Sequence, residues 1–128
     1  WCDSSTTGNW GGDLPGSFGT AIGTGAQNTA VMKTYCPIGA GQQAADYTAG
    51  DKSDWFLPSK DELNAMWLYS QVGGFNTATY GFASDDYWSS SQFSASSAWN
   101  QSLANGAQFG AGGLKSFTSV RVRPIRSF

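Results

Sequence analysis

The run Pro58-Ser59-Lys60-Asp61-Glu62-Leu63 permits one local structure, a helix that starts at Ser59. Ser59 and Glu62 stand three apart, the spacing of a capping box in which each side chain satisfies a backbone N–H of the first turn. Pro58 cannot continue a helix arriving from upstream, and Asp61 and Glu62 favour the positive end of the helix dipole. Leu63, Met66, Trp67 and Ser70 then share an inward face, and Gly73-Gly74 ends the run. The spacing predicts a helix over 60–71. The letters Lys60-Asp61-Glu62-Leu63 match a retention signal that works only at a C-terminus, so here they are a helix start.

On either side of this helix the pattern changes. Residues 1–24, with Gly8, Gly11, Gly12, Pro15, Gly16, Gly19 and Gly23, read as strand and loop with tight turns. Ala26–Tyr35 places Val31, Met32 and Tyr35 on one helical face and is ended by Cys36-Pro37. Residues 42–48 can add a helical turn. After Gly74 the spacing turns β-like, with strand candidates at Tyr87–Gln92, Ala98–Leu103, Ala107–Ala111 and Ser119–Phe128. Asn105-Gly106 is a two-residue hairpin signal. Val120 and Val122 alternate with Arg121 and Arg123, one face buried and one basic, until Pro124, which belongs at an edge or bulge. Two helices followed by short antiparallel strands make an α+β architecture, and 128 residues make one domain, 1–128.

Composition removes several function classes. Charged residues are 12% of the chain, so Ser, Thr, Asn, Gln and Gly must cover the surface, as in secreted proteins. No His is present, which excludes Ser-His-Asp and Cys-His nucleophilic sites and the commonest general base. No zinc-type Cys cluster, phosphate-binding Gly fingerprint or EF-hand spacing occurs. Asp85-Asp86 and Asp51 with Asp54 suit turns better than calcium. The reading is therefore a non-enzyme with no cofactor and no metal. Arg121, Arg123 and Arg126 are the only basic cluster, too narrow for a nucleic-acid binder, and no apolar run reaches membrane-span length. The chain begins at Trp1 without a leader, as a processed N-terminus or one domain of a longer protein does. Cys2 and Cys36, in a polar, charge-poor chain, read as one disulfide.

What remains points to binding. Beyond residue 80 the chain is rich in Tyr, Trp, Phe, Ser, Asn, Gly and Ala, the mixture of rigid aromatic anchors and small adaptable polar groups found in paratopes. Trp55, Leu57, Leu63, Met66, Trp67, Trp88, Trp99, Val120, Val122 and Ile125 read as core. The contact candidates lie between those anchors: Phe93, Ser94, Ser97, Ser102, Ala104, Phe109, Ala111, Leu114, Phe117 and Thr118. Phe93, Phe109 and Phe117 stand among small residues with little local apolar support, which suggests an exposed binding surface.

Trp55–Leu63, Tyr87-Trp88-Ser89-Ser90-Ser91, Ala98-Trp99, Lys115 and Val122–Phe128, with Gly19–Thr29 upstream, together resemble the C-terminal domain of the Legionella collagen-like adhesin. That family also includes a Fibrobacter paralogous surface domain. The resemblance implies a C-type-lectin-like fold and a location outside the cell, on its surface or on a virion. Nothing matches the Glu-Pro-Asn or Gln-Pro-Asp loop of calcium-dependent sugar binding, and Cys2 and Cys36 do not match the reactive pair of the related formylglycine-generating enzymes. A second resemblance is to the variable proteins of diversity-generating retroelements, which mutate adenines, chiefly in Asn codons. Such codons yield Phe, Ser, Ala, Gly, Thr or Leu but never Trp, Gln or Lys. In 93–118, positions between Trp99, Gln101, Gln108 and Lys115 are almost all of the first kind.

The expectation is an extracellular display domain whose partner is a protein or cell-surface ligand. The alternatives are a trimeric glycan-binding adhesin domain and a structural subunit of a fibre or pilus, in which the domain packs against copies of itself.

Overall fold

The computed structural model describes residues 1–2, 13–15, 18–73 and 81–128. Half of the strand-and-loop reading of residues 1–24 falls outside the described residues, with Gly8, Gly11, Gly12 and Gly16. The described elements are helices α1 (Gly25–Tyr35), α2 (Ala40–Ala45) and α3 (Lys60–Gln71) and strands β1 (Asp86–Gln92), β2 (Ala98–Ser102) and β3 (Gln108–Phe109). The strands form one antiparallel sheet in the order β1-β2-β3, an α+β architecture.

Helix α3 begins as its sequence requires. Ser59 N–H donates to Glu62 Oε2 at 2.7 Å, and Glu62 N–H donates to Ser59 Oγ at 3.3 Å. Glu62 Oε1 also accepts from Gly23 N–H at 2.8 Å, so the cap ties the loop before α1 to the start of α3. Helix α2 occupies Ala40–Ala45, earlier than the turn expected at 42–48. Its small buried residues Ala40, Gly41 and Ala44 let it pack closely on Met32 of α1.

The inward face of α1 differs from the expected Val31, Met32 and Tyr35. Tyr35 is 45% exposed, and the buried residues are Gly25, Asn28, Thr29 and Met32. These also follow helical spacing, but two of them are polar and are buried because each has partners. Asn28 Nδ2 donates to the Gly19 carbonyl at 2.7 Å and to Ser90 Oγ at 3.2 Å. Thr29 Oγ1 donates to the Gly25 carbonyl at 2.8 Å and accepts from Leu57 N–H at 3.0 Å. Thr29→Val would keep the shape and strand the Leu57 N–H, a buried donor. The variant is expected to lose about 1–3 kcal/mol in urea denaturation.

Strand β1 is buried from Tyr87 to Ser91 without alternation, so both its faces are covered, and both its edges are occupied too. On one edge it pairs with β2, Tyr87 opposite Gln101 and Trp88 opposite Asn100, with a bulge before Gln92. On the other, Ser90 N–H donates to Pro58 O at 2.7 Å and Trp88 N–H to Arg121 O at 2.9 Å. The three serines are buried with their hydroxyls bonded: Ser89 Oγ to Trp99 O, Ser91 Oγ to Gly19 O, and Ser90 Oγ accepting from Asn28.

The final segment is not the continuous strand expected over Ser119–Phe128. It touches the fold at a parallel bridge between Tyr87 and Arg121 and an antiparallel one between Phe56 and Ile125. Pro124 lies between them and has no N–H for a ladder. The hairpin loop between β2 and β3 is also longer than two residues. Ser102 N–H bonds Ala107 O, Gly106 N–H bonds Ser102 O, and Gly106 supplies the positive φ of 79° beneath the Trp67 ring.

The core joins Trp1, Cys2, Leu14, Met32, Cys36, Ala40, Ala44, Leu57, Trp88 and Ala98, with Phe18, Val120 and Val122 packed against it. Of the ten expected core anchors, Leu57, Leu63 and Trp88 are buried; Trp55, Met66, Trp67, Trp99, Val120, Val122 and Ile125 are half-buried. Trp1, which local spacing could not place, donates its indole N–H to Ser89 O at 2.7 Å, across 88 positions. Cys2 and Cys36 form the disulfide, closing a separation of 34 residues and stabilising by about 3 kcal/mol in the chain-entropy model. No described helix is long and apolar enough to cross a membrane.

Candidate ligand-binding surface

Segment 93–118 leaves β1, forms β2 and β3, and returns across their ends. Its positions divide into a hydrogen-bonded frame and outward side chains. Among the ten contact candidates, Phe93, Phe109, Leu114 and Phe117 are 48%, 41%, 41% and 43% exposed, a large fraction for apolar side chains. Ala104, Ala111 and Thr118 are exposed and Ser94 is half-buried. Ser97 and Ser102 are buried, which corrects their reading as outward contacts. Ser97 O accepts from both Phe93 and Ser94 N–H at 3.0 Å, and its hydroxyl lies 2.6 Å from Ser94 Oγ. Ser102 closes the β2–β3 loop.

The exposed candidates fall in three places. Phe93 meets Trp99 edge to face, ring centroids 5.2 Å apart, and both rings lie over Gly110, between Phe109 and Ala111. Leu114 bridges Ser97 beside them. Lys60 Nζ sits 5.4 Å from the centroid of Trp99, so the first turn of α3 borders this patch. Ala104 stands at the β2–β3 loop. Phe117 and Thr118 line a separate cleft of about 540 Å³ with Trp1, Tyr87, Trp88 and Val120. Lys60 and Trp1 carry no sequence signal for such roles, since each acts through residues distant in the chain.

Lys115, next in the chain to Leu114, is fully buried. Its N–H donates to Ser96 O at 3.0 Å and its Nζ to Ala95 O at 3.1 Å, tying loop 93–97 to the returning segment. Its ammonium lies 4.7 Å from the centroid of the Trp1 ring. Burial lowers its pKa to about 8, opposed by the charge of Asp13.

The three C-terminal arginines are engaged within the protein. Arg126 makes a two-pronged pair with Asp54, both contacts 2.9 Å, and Arg121 Nε pairs with Asp85 at 2.9 Å. Arg123 stacks on Phe82, 4.2 Å from its centroid. The hydrogen bonds from Arg126 and Arg121 hold the Asp54 and Asp85 carboxyls below their usual pKa. Those aspartates therefore serve as ion-pair partners, and among the described residues no three acidic, Cys or His side chains gather as a metal site. The chain matches no protein-family model, no curated protein and no solved structure.

Proposed function

We propose that this chain is an extracellular display domain of the C-type-lectin-like fold that binds a protein ligand through segment 93–118 and turns over no substrate. One observation carries the reading: within that segment, exposed Phe93, Phe109, Leu114 and Phe117 are interleaved with buried Ser97, Asn100, Gln101, Ser102 and Lys115, held by strand pairing and by hydrogen bonds from Ser97, Gln101 Nε2 and Lys115 Nζ. A frame that packs without its outward side chains leaves those side chains to vary, the arrangement a diversified binding segment requires. Half-exposed aromatics are the residues that anchor protein interfaces.

The glycan-adhesin alternative draws less support, since Arg121, Arg123 and Arg126 are held by Asp85, Phe82 and Asp54. Probing protein and glycan arrays at low and high salt tests the choice. A protein target retained in high salt is the expected result. Sulfated-glycan signals that vanish with salt would overturn it in favour of the adhesin. Light scattering separates a monomeric receptor-binding domain from a fibre subunit. The diversified reading is tested in the genome, where a near-copy of the segment encoding 85–128, differing only at adenines and lying beside a reverse transcriptase, is expected.

A further inference from the structure

The inner end of the frame holds four groups whose arrangement is reactive as well as structural. Lys115 Nζ lies 2.6 Å from Gln92 Oε1. The same oxygen accepts from Leu14 N–H at 3.1 Å. On the other side of the carboxamide, Gln92 Nε2 donates to Asp13 Oδ1 at 2.9 Å and to Leu14 O at 3.4 Å. These four partners fix which end of the amide is oxygen, because reversing it would set donors against donors and acceptors against acceptors. A primary amine thus faces a carbonyl whose oxygen is held by a main-chain N–H and whose nitrogen is held by a carboxylate.

We propose that the folded protein joins Lys115 to Gln92 by an isopeptide bond, with Asp13 as the proton relay. The neutral amine attacks Gln92 Cδ, and the charge that develops on Oε1 is received by Leu14 N–H, a pre-placed oxyanion donor. Asp13 carries the proton from the attacking nitrogen to Nε2. The Cδ–Nε2 bond then breaks and Nε2 leaves as ammonia. One C–N bond forms, one breaks, and no oxidant or co-reactant is consumed. Two features of the site favour the reaction. Holding amine and amide together at 2.6 Å in one part-buried site replaces a bimolecular encounter, and desolvation shifts the Lys115 amine toward its neutral, nucleophilic form. The bond would connect the end of β1 to the returning segment, a separation of 23 residues. It would clamp both ends of the stretch that carries Phe93, Phe109 and Leu114, and this role does not depend on what the surface binds.

Intact-mass spectrometry of the purified chain tests this directly. The expected mass, after allowing for the Cys2–Cys36 disulfide, is below that of the sequence by one ammonia. Fragment spectra should show the peptides bearing Gln92 and Lys115 joined. Asp13 is exposed, so Asp13→Ala is expected to stay folded by circular dichroism and to recover the full sequence mass. A wild-type chain at full mass would overturn the proposal. So would an ammonia loss that maps to cyclisation at Asn105-Gly106 rather than to a branched peptide, or a folded Asp13→Ala variant that still carries the cross-link.

Discussion

Gly113→Ser is expected to destabilise the protein by about 3 kcal/mol or more, whereas Gly112→Ser beside it should change stability by less than about 1 kcal/mol. A Cβ on Gly113 would be driven into the Ala98 carbonyl oxygen and would sit 3.0 Å from Asn100 Nδ2 and 3.1 Å from Phe109 O. Two of these three are backbone atoms of the sheet, which cannot rotate away. The contact also coincides with the hydrogen bond from Ala98 N–H to Gly113 O and adjoins the Ser97–Leu114 bridge, so displacing residue 113 unpins the whole return of the segment. A Cβ on Gly112 meets nothing within 4 Å. Urea midpoints of the two variants check this, and equal midpoints would show that the close approach at 113 relaxes at little cost. The outcome matters for function, because position 113 lies inside the stretch proposed to vary. A diversified segment on this frame must spare Gly113, Gly110, Ser97 and Lys115 and vary around them.

Replacing Phe93, Phe109 and Phe117 together by Ser is expected to weaken binding to the strongest array target at least about hundredfold, since each interface aromatic contributes on the order of 1–2 kcal/mol. The stability cost should be unequal. Phe109 and Phe117 are nearly half exposed, so their loss exposes little new core. Phe93 shields Trp99 in an edge-to-face contact, and its removal should cost about 1 kcal/mol beyond them. Single variants measured by melting and by titration separate these effects. Phe117 lies in the cleft with Trp1 and Trp88 rather than with Phe93. If only Phe117→Ser abolishes binding while Phe93→Ser and Phe109→Ser do not, the ligand uses the cleft and not the Phe93–Trp99 patch.

Elements whose chemistry closes within a few residues are legible along the chain. The Ser59–Glu62 box acts across three positions, so α3 is found at Lys60–Gln71 as its spacing predicts. β1 and β2 begin and end within a residue of their predicted runs. The two cysteines allow a single intramolecular pairing, and it is the one found. Which polar residues go inside is settled by long-range packing. Hydrophobic spacing assigned Tyr35 to the interior of α1, yet Asn28 and Thr29 take that place, because Gly19, Ser90 and Leu57 arrive from other segments to satisfy them. For the same reason Ser97 looked like a contact and is frame. Arg126 read as part of a basic cluster, but Asp54, 72 positions away, pairs with it. Lys115 read as a framework position, but the partners that enclose it, Gln92 and the Trp1 ring, come from distant segments. Burial of a polar group depends on whether a partner is delivered to it, and that partner is supplied by the fold rather than by neighbouring residues.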